Sequence, residues 1–380
     1  MENTPLRQRL RFIWEGLDPT LSTILICLVT IGNITFLSAS SGTVVTWVEQ
    51  SRNLLMAILI MWVTSRIPIK WLEKISLWVY LAGVVLLLAV TFFGQVKKGA
   101  RRWLNIGVVI QPSEIMKIAM PMMLAWYFQR REEMVQLKDF GIALIFLLLP
   151  TVLIAKQPDL GTAILVLAAG LYVIILAGLP WKFILPFVGA GVIGILFILI
   201  FGNSICAKGV SWPLLQSYQQ HRICTLLNPG SDPLGKGFHT LQSMIAIGSG
   251  GAFGKGWMKG TQTHLEFIPE KHTDFIFAVF SEEFGLIGNV VLLILFLLLI
   301  QRGLQIASTA PNLYTRLLGG SVTLIFFTYA FVNMGMVSGL LPVVGVPLPF
   351  ISYGGTALAT LGFGAGILMS INRGKRLIQT

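Results

Sequence analysis

The segment 265–278 holds the residues whose types and spacing best suit chemistry. Glu270, His272 and Asp274 lie close together, immediately before a long apolar run. If that run is a membrane-spanning helix, ionisable groups at its mouth are energetically unfavourable and indicate a functional site by default. Asp274 then suits a general base or charge partner. A carboxylate that only stabilises a helix start, with Thr273 as the N-cap, would show the same spacing.

Two further carboxylates stand at the starts of apolar runs. Glu114 and Lys117 are three residues apart and share one helix face, where the pair would either line a polar cavity or lock two spans together. Asp159 follows Pro158, an arrangement that suits helix capping as well as a site. Both groups are therefore candidate site residues, as Asp274 is.

A short basic segment, 94–104, carries four cations and no acid. Arginines offer bidentate contacts to phosphate, so the segment suits an anion-binding lip. Snorkelling to lipid headgroups, with a tryptophan as interfacial anchor, explains the same residues without a site. The candidate substrate-binding residues of this segment are Lys97, Lys98, Arg101, Arg102 and Trp103.

The segment 339–356 is rich in proline and glycine and lies between two apolar runs. At membrane depth such residues indicate a broken or re-entrant segment that lines a cavity. No side chain in it is an obvious catalyst. Its predicted role is to form a wall, with Ser352 and Tyr353 as candidate hydrogen-bonding residues.

The composition indicates that a membrane-embedded fold positions these groups. Hydrophobic residues make up 55% of the 380 residues and charged residues 12%, far from a soluble domain. Many apolar runs approach the roughly 20 residues that a helix needs to cross a bilayer, and they lack the alternation of barrel strands. We predict an all-α polytopic membrane protein with about ten transmembrane helices. The runs are 19–40, 52–68, 72–94, 112–129, 138–156, 159–179, 182–203, 273–301, 315–341 and 351–371.

The basic residues predict the orientation. They flank both ends of the chain and the connections on the same side, so the positive-inside rule places both termini in the cytoplasm. The basic segment 94–104 then lies outside, against the rule. One large loop, about 204–272, also lies outside, between the seventh and eighth helices. Its apolar patch at 241–247 predicts a short amphipathic helix, and Cys206 and Cys224 could pair if the loop faces an oxidising compartment.

Several functions are disfavoured by the motifs. The sequence has no HExxH, no P-loop and no strand-preceded GxGxxG, and its three cysteines lack metal-ligand spacing. ATP-driven chemistry within the chain is therefore not expected, and neither is a nucleic-acid partner. The net charge of +12 instead suits contact with anionic membrane lipids.

Six motifs spread over nearly the whole chain resemble the SEDS (shape, elongation, division, sporulation) family of membrane proteins. The stretch 256–270 looks more like the branch of that family that acts in cell elongation than like its septal branch. The motifs are Gly99-Ala-Arg-Arg-Trp-Leu, Gln111-Pro-Ser-Glu-Ile, Gln157-Pro-Asp-Leu-Gly-Thr, Gly254-Lys-Gly-Trp, Glu270-Lys-His-Thr-Asp-Phe-Ile-Phe-Ala and Pro347-Leu-Pro-Phe-Ile-Ser-Tyr-Gly-Gly.

The resemblance implies a peptidoglycan glycosyltransferase, built as one membrane domain over 1–380. It would polymerise lipid II into β-1,4 glycan strands beside a class B penicillin-binding protein and other elongation-complex membrane proteins. The family's essential aspartate corresponds to Asp274, which would be the general base of an inverting displacement on the periplasmic side of the bacterial inner membrane. Arg101, Arg102 and Lys117 would stabilise the leaving diphosphate. No cofactor is required by the sequence, although Mg²⁺ or Mn²⁺ shared with Glu114 or Asp159 is a further possibility.

Two other functions fit a polytopic protein with intramembrane charges. A flippase for lipid-linked precursor should carry polar residues through the midplane and on the cytoplasmic side, whereas the charges singled out here cluster at the outer face. A non-catalytic scaffold of the elongation complex would leave the group around Asp274 unexplained. The enzyme is therefore the predicted function.

Overall fold

The computed structural model describes residues 16–97, 100–105, 109–132, 135–206, 210, 217–228, 236–265 and 270–379. These residues form thirteen helices and three short strands. The first half contains α1 (Pro19–Ala39), α2 (Val44–Thr64), α3 (Ile69–Phe93), β1 (Gln95–Lys97), β2 (Ala100–Asn105), β3 (Val109–Ile110), α4 (Pro112–Gln129), α5 (Leu137–Lys156), α6 (Leu160–Leu176) and α7 (Trp181–Ile205). The second half contains α8 (Ser217–Leu227), α9 (Lys236–Gly250), α10 (Thr261–His264), α11 (Ile276–Ser308), α12 (Leu313–Val337) and α13 (Gly355–Gln379).

Each of the ten predicted apolar runs coincides with one helix, which confirms the polytopic, helical membrane fold. Seven of these helices are long and apolar enough to cross a bilayer, and α6 is a shorter apolar helix. The count of ten spans stays a prediction. The largest shift of a helix start is at α2, which begins eight residues before the predicted run. Its first turns include the polar side chain of Gln50, which is buried and donates to the carbonyl of Ser352 at 3.3 Å.

The helices differ in how deeply they are buried. In helix α12, 72% of the most apolar 18-residue stretch is buried. This helix packs against α4, α6 and α11 at the centre of the bundle. In α7 the corresponding share is 0%. Since α7 exposes apolar side chains all round, it suits a position against lipid, while α4 and α12 form the core that carries the polar groups described below.

Helix α11 is broken at Gly285, where the backbone has a φ of +64°. The segment 250–256 fits into this break. The amides of Lys255 and Gly256 donate to the carbonyls of Glu282 and Glu283, both at 3.0 Å. The amides after the break, at Leu286 and Ile287, donate to carbonyls of the same segment at 2.9 and 3.1 Å. The backbone groups released by the break are therefore satisfied inside the protein, as a membrane interior requires.

A small antiparallel sheet connects α3 to α4, with the strand order β1-β2-β3. It is the one departure from the all-α prediction among the described residues. The basic segment forms β1 and β2, in which Gln95 lies opposite Trp103. Lys97 lies in β1, whereas Lys98 lies outside the described residues. The hairpin carries Arg102 and Trp103 to the end of the bundle at which α4 begins.

The large loop contains three helices in its described parts, α8 to α10. Helix α9 spans the predicted amphipathic patch and packs against α11, and Ser243 on it donates to the carbonyl of Val337 at 2.8 Å. A disulfide joins Cys206 to Cys224, so the end of α7 is tied to α8. That pairing is the arrangement expected for a loop in an oxidising compartment.

Candidate active site

A cavity of about 500 Å³ opens at one end of the bundle. The N-termini of four helices surround it, those of α4, α6, α11 and α13. Most of the predicted site residues share this cavity. Its lining includes Arg102, Trp103, Gln111, Glu114, Lys117, Asp159, Arg222, His239, Glu270, Thr273, Asp274, Val343, Gly345 and Tyr353.

Asp274 lines the cavity from a turn, because α11 begins only at Ile276. The expectation that Thr273 caps this helix is wrong: the N-cap is Phe275, and the Thr273 hydroxyl donates to the Glu270 carboxylate at 3.0 Å. The backbone carbonyl of Asp274 accepts a bond from Asn333 at 2.9 Å. The backbone of Asp274 is thus fixed to α12 at the wall of the cavity.

Gly345 leaves room for this carboxylate. It has a φ of +77°, and a methyl group at its position would lie 3.3 Å from Oδ2 of Asp274. The segment 339–354 that contains it has no helix or strand, and Val346, Leu348 and Ile351 within it are buried. The predicted irregular wall is therefore present, packed inside the protein beside the cavity.

Glu114 and Lys117 form a buried ion pair on α4. The ammonium of Lys117 lies 2.6 Å from Oε1 of Glu114 and donates to the Tyr329 hydroxyl at 2.6 Å. Lys117 is only 2% exposed. Its positive charge is therefore largely neutralised by Glu114, and the pair both lines the cavity and links α4 to α12.

Asp159 has two functions in this arrangement. Its Oδ1 accepts from the Thr162 amide at 3.3 Å and so caps α6, as one reading of the sequence expected. The same carboxylate lines the cavity, where Gln111 donates to Oδ2 at 3.0 Å and Arg102 lies 3.6 Å from Oδ1. Arg102 also donates to the carbonyl of Pro158 at 3.1 Å, so it bridges β2 to the start of α6.

Arg101, His272 and Ser352 are predicted residues whose side chains are outside the described cavity lining. Arg101 is exposed and donates to the carbonyl of Thr91 at 3.1 Å. The ring of His272 packs on Phe36 at 5.6 Å. The Ser352 hydroxyl is buried and accepts from the Leu348 amide at 2.7 Å, so it stabilises a turn.

Tyr353 is at the cavity, as predicted. Its ring stacks on Phe36 at 5.6 Å, and its hydroxyl donates to Glu49 at 3.3 Å. Burial and the neighbouring Glu49 carboxylate raise the pKa of the Tyr353 phenol. The phenol therefore remains protonated at neutral pH and keeps its bond to Glu49.

The sequence reasoning missed Arg222 and His239, which come from the large loop. Arg222 on α8 donates to the carbonyl of Val343 at 2.8 Å, and the His239 ring stacks on Phe275 at 5.8 Å. Neither residue belongs to a short motif. The available signal was a basic or titratable side chain in a long loop expected to have a functional role.

The described lining of the cavity does not carry a net positive charge. It has Arg102, Lys117 and Arg222 against four carboxylates, those of Glu114, Asp159, Glu270 and Asp274. An anionic ligand would therefore be bound by individual donors, not by net charge. Arg102 suits this best, because its side chain is 32% exposed and a guanidinium carries five N–H donors.

The carboxylates of Glu114 and Asp159 do not fit a divalent cation in this arrangement. Oε1 of Glu114 faces the Lys117 ammonium, and both oxygens of Asp159 accept hydrogen bonds from nitrogen donors. Within the described part of the chain, no three His, Cys, Asp or Glu side chains are grouped to hold a metal. The expected Mg²⁺ or Mn²⁺ therefore enters no step below.

The chain is similar to known proteins over nearly its full length. The family model described as FtsW/RodA/SpoVE, cell cycle protein, matches residues 19–377. The chain is 47% identical to peptidoglycan glycosyltransferase MrdB of Escherichia coli K12, covering 96% of this chain and 95% of that protein.

Two solved structures share the fold. One, described as "Structural coordination of polymerization and crosslinking by a peptidoglycan synthase complex", has a TM-score of 0.77 at 31% identity and covers 94% of this chain and 98% of the other. The rod shape determining protein RodA of Thermus thermophilus has a TM-score of 0.69 at 26% identity, covering 95% and 98%. With the motifs and the cavity on which they converge, these matches establish that the chain belongs to the FtsW/RodA/SpoVE family, the SEDS family.

Proposed function

We propose that this protein is a peptidoglycan glycosyltransferase that polymerises lipid II into β-1,4 glycan strands at the cavity around Asp274. The observation that carries the proposal is the convergence of a carboxylate, cationic donors and an apolar bundle at one end of the molecule. Lipid II combines a sugar, a diphosphate and a long polyprenyl tail. A polar cavity that opens beside apolar helices suits such a substrate.

Asp274 is the proposed general base. It would accept the proton of the 4-hydroxyl of the acceptor GlcNAc as that oxygen attacks the anomeric carbon of the donor muramoyl unit. The new C–O bond forms while the bond to the undecaprenyl diphosphate breaks on the opposite face, so the α-linked donor gives a β product. The backbone contact of Asp274 with Asn333 supports this role, because a base must be held in place.

Arg102 and Arg222 are the proposed donors to the leaving diphosphate, on which negative charge accumulates. Both line the cavity, and each is anchored by a backbone carbonyl, of Pro158 and Val343 respectively. Lys117 is a weaker candidate than the sequence suggested, because Glu114 neutralises it. The Glu114–Lys117 pair is better placed to keep the wall of the cavity polar and rigid. Trp103 and Tyr353 would contact the sugars.

The setting of the reaction is proposed from charge and from the relatives. The cavity lies at the end of the bundle that the positive-inside rule assigns to the outside, which is the periplasmic face of the bacterial inner membrane. The paired Cys206 and Cys224 fit that compartment. A class B penicillin-binding protein is the proposed partner, with other elongation-complex membrane proteins, since one similar structure is of a complex that polymerises and crosslinks.

The test is glycan polymerisation from labelled lipid II by the purified chain with its penicillin-binding partner, whose transpeptidase is blocked. Asp274→Asn is compared with the wild type, and Glu132→Gln, an exposed acid at the opposite end of the bundle, is the matched control. We expect polymer from the wild type and the control and none from a folded Asp274→Asn protein. Equal polymer from all three would exclude Asp274 as the base. Lipid II scrambling in liposomes without any polymer would favour a flippase.

A further inference from the structure

Asn333 lies on α12 and joins two walls of the cavity around Asp274. Its Nδ2 donates to the backbone carbonyl of Asp274 at 2.9 Å and to the backbone carbonyl of Val346 at 2.7 Å. A carboxamide nitrogen carries two N–H donors, so these two bonds use both of them. Asn333 itself is fully buried. One side chain therefore links the turn that carries Asp274 to the irregular segment 339–354.

The two segments that Asn333 joins meet beside the Asp274 carboxylate. Gly345 directly precedes Val346, and a methyl group at Gly345 would lie 3.3 Å from Oδ2 of Asp274. The separation of the Asp274 backbone from this wall is therefore set by two hydrogen bonds to one planar amide. Arg222 holds the wall independently, because it donates to the carbonyl of Val343 at 2.8 Å. Loss of the Asn333 bonds would thus release the Asp274 turn while the wall stays anchored at Val343.

Helix α12 supports this contact from the core of the bundle. One turn before Asn333, the buried Tyr329 accepts a hydrogen bond from Lys117 on α4 at 2.6 Å. Residues four apart share one face of a helix. The same face of α12 therefore contacts α4, the turn before α11 and the irregular wall, and all three line the cavity.

The carbonyl oxygen of the Asn333 amide has a different environment from its nitrogen. This oxygen is buried, and within the part of the chain that the structure describes no group donates a hydrogen bond to it. A buried acceptor without a donor lowers stability. An apolar residue of similar shape would avoid that loss but would supply neither donor. The two N–H donors are therefore what asparagine contributes at this position.

We propose that Asn333 is a positioning residue for the glycosyltransferase reaction and sets the place of the Asp274 carboxylate against the wall at Gly345. The inference rests on the proposed function, in which Asp274 is the general base. A base must lie within hydrogen-bond reach of the hydroxyl that it deprotonates, and a misplacement of about 1 Å can lower the rate about 100-fold. Asn333 is not part of the cavity lining, so it acts through Asp274 and not on the substrate.

The experiment compares turnover with substrate binding. Turnover is measured by the polymerisation assay described for Asp274→Asn. Binding is titrated with a labelled lipid II whose acceptor 4-hydroxyl is replaced by hydrogen, so that it binds without being polymerised. The titration gives Kd and the number of binding sites, and kcat is expressed per site, so that unfolded protein does not lower it. The variants are Asn333→Leu, which removes both donors, and Asn333→Ser, which is smaller and keeps one hydroxyl donor.

Ser321→Ala is the matched control on the same helix. Ser321 is fully buried, and its hydroxyl donates to the carbonyl of Ala169 on α6 at 2.8 Å. It lies about 18 Å before Asn333 along the helix axis, at 1.5 Å per residue. Its replacement therefore also removes a buried donor to a carbonyl, but far from Asp274. Thermal unfolding compares the loss of stability in this variant with that in the Asn333 variants.

We expect both Asn333 variants to bind with a near-normal Kd and to lose about 10-fold to 100-fold in kcat per site. Ser321→Ala should retain both binding and kcat. Normal kcat in the Asn333 variants would overturn the inference, and so would an equal fall in Ser321→Ala. Loss of lipid II binding in both Asn333 variants would also overturn it, because Asn333 would then serve the fold alone.

The same assay separates this inference from the proposed function. If Asp274→Asn is inactive while both Asn333 variants keep a normal kcat, only the role of Asn333 is wrong. If Asp274→Asn polymerises lipid II normally, the proposed base itself is wrong.

Discussion

At the scale of single residues, the two arginines of β2 show how position decides function. Arg101 and Arg102 are adjacent and chemically identical, yet only Arg102 lines the cavity. The guanidinium of Arg101 bonds to the carbonyl of Thr91, whereas that of Arg102 bonds to the carbonyl of Pro158 beside Asp159. Tyr353 and Ser352 are a second such pair: Tyr353 lines the cavity, and the Ser352 hydroxyl is used inside a turn.

Replacement of Arg102 should therefore affect catalysis far more than replacement of Arg101. Loss of one donor to developing charge typically lowers kcat by about 100-fold or more. We expect a loss of this order for Arg102→Gln in lipid II polymerisation and a near-normal rate for Arg101→Gln, the control. Similar losses in both variants would contradict the assignment.

Breaking the Glu114–Lys117 pair should destabilise the fold. Removal of one partner leaves a buried charge without compensation, which typically lowers the free energy of unfolding by about 3–5 kcal/mol. We expect Lys117→Met to lose stability in detergent on this scale and Glu114→Gln/Lys117→Met to recover part of it, because neither charge remains. Thermal unfolding measures both. A double variant less stable than Lys117→Met would show that the pair is net stabilising beyond its charges.

At the scale of elements, the break in α11 connects the loop 250–263 to the helix that follows Asp274. Glu282, which is fully buried next to the break, accepts from Lys255 at 2.8 Å and from the amides of Gln262 and Thr263 at 2.9 and 3.2 Å. Glu283 beside it bonds to Ser38 on α1. The broken helix thus fixes the positions of the loop and of α1 relative to the start of α11, close to the site.

Gly285→Ala should disrupt this arrangement. The backbone at Gly285 has a positive φ, which a residue with a side chain adopts only with strain. A Cβ at this position would also collide with the backbone of Gly254. Strain of this kind typically amounts to about 1–3 kcal/mol, before the collision is counted. We expect lower thermal stability and faster proteolysis of the 251–265 region.

Gly189→Ala is the control for that change, since nothing lies within 4 Å of a Cβ at Gly189 in α7. Its stability should be unchanged or slightly raised, because alanine favours a helix more than glycine does. If Gly285→Ala were as stable as Gly189→Ala, the break would not be needed for the fold.

At the scale of the whole molecule, the two ends of the bundle differ in chemistry. Among the described residues, the cavity at one end is lined by both acids and cations, whereas the charged side chains of a second cavity, at the other end, are Arg66, Lys70 and Arg373. Most flanking basic residues lie at the second end, as the positive-inside rule requires of a cytoplasmic face. The substrate cavity and the basic end are therefore predicted to face opposite compartments.

This orientation is testable with topology reporters. We expect alkaline phosphatase to be active when inserted within 229–235 of the large loop and inactive when fused after residue 380. A fluorescent protein that folds only in the cytoplasm should give the reverse pattern. If both reporters reversed, the cavity would face the cytoplasm, and the proposed periplasmic reaction would be wrong.

The sequence by itself determined the class of protein, the positions of the helices and several of the charged residues that line the cavity. These depend on local properties: a run of apolar side chains is long enough to span a membrane or it is not, and ionisable groups at the ends of such runs are conspicuous. The predicted run 112–129 and α4 (Pro112–Gln129) have the same bounds. The Glu114–Lys117 contact followed from a helical spacing of three.

Only the tertiary structure decided which candidates meet and in what role. Thr273 does not cap α11, and its hydroxyl instead donates to the Glu270 carboxylate. The break in α11 is possible because a loop segment hydrogen-bonds to the backbone groups that the break releases. Arg222 and His239 join the site from a loop whose packing no local pattern encodes. Contacts between segments far apart in sequence depend on how the helices pack, and a spacing rule does not extend beyond one element.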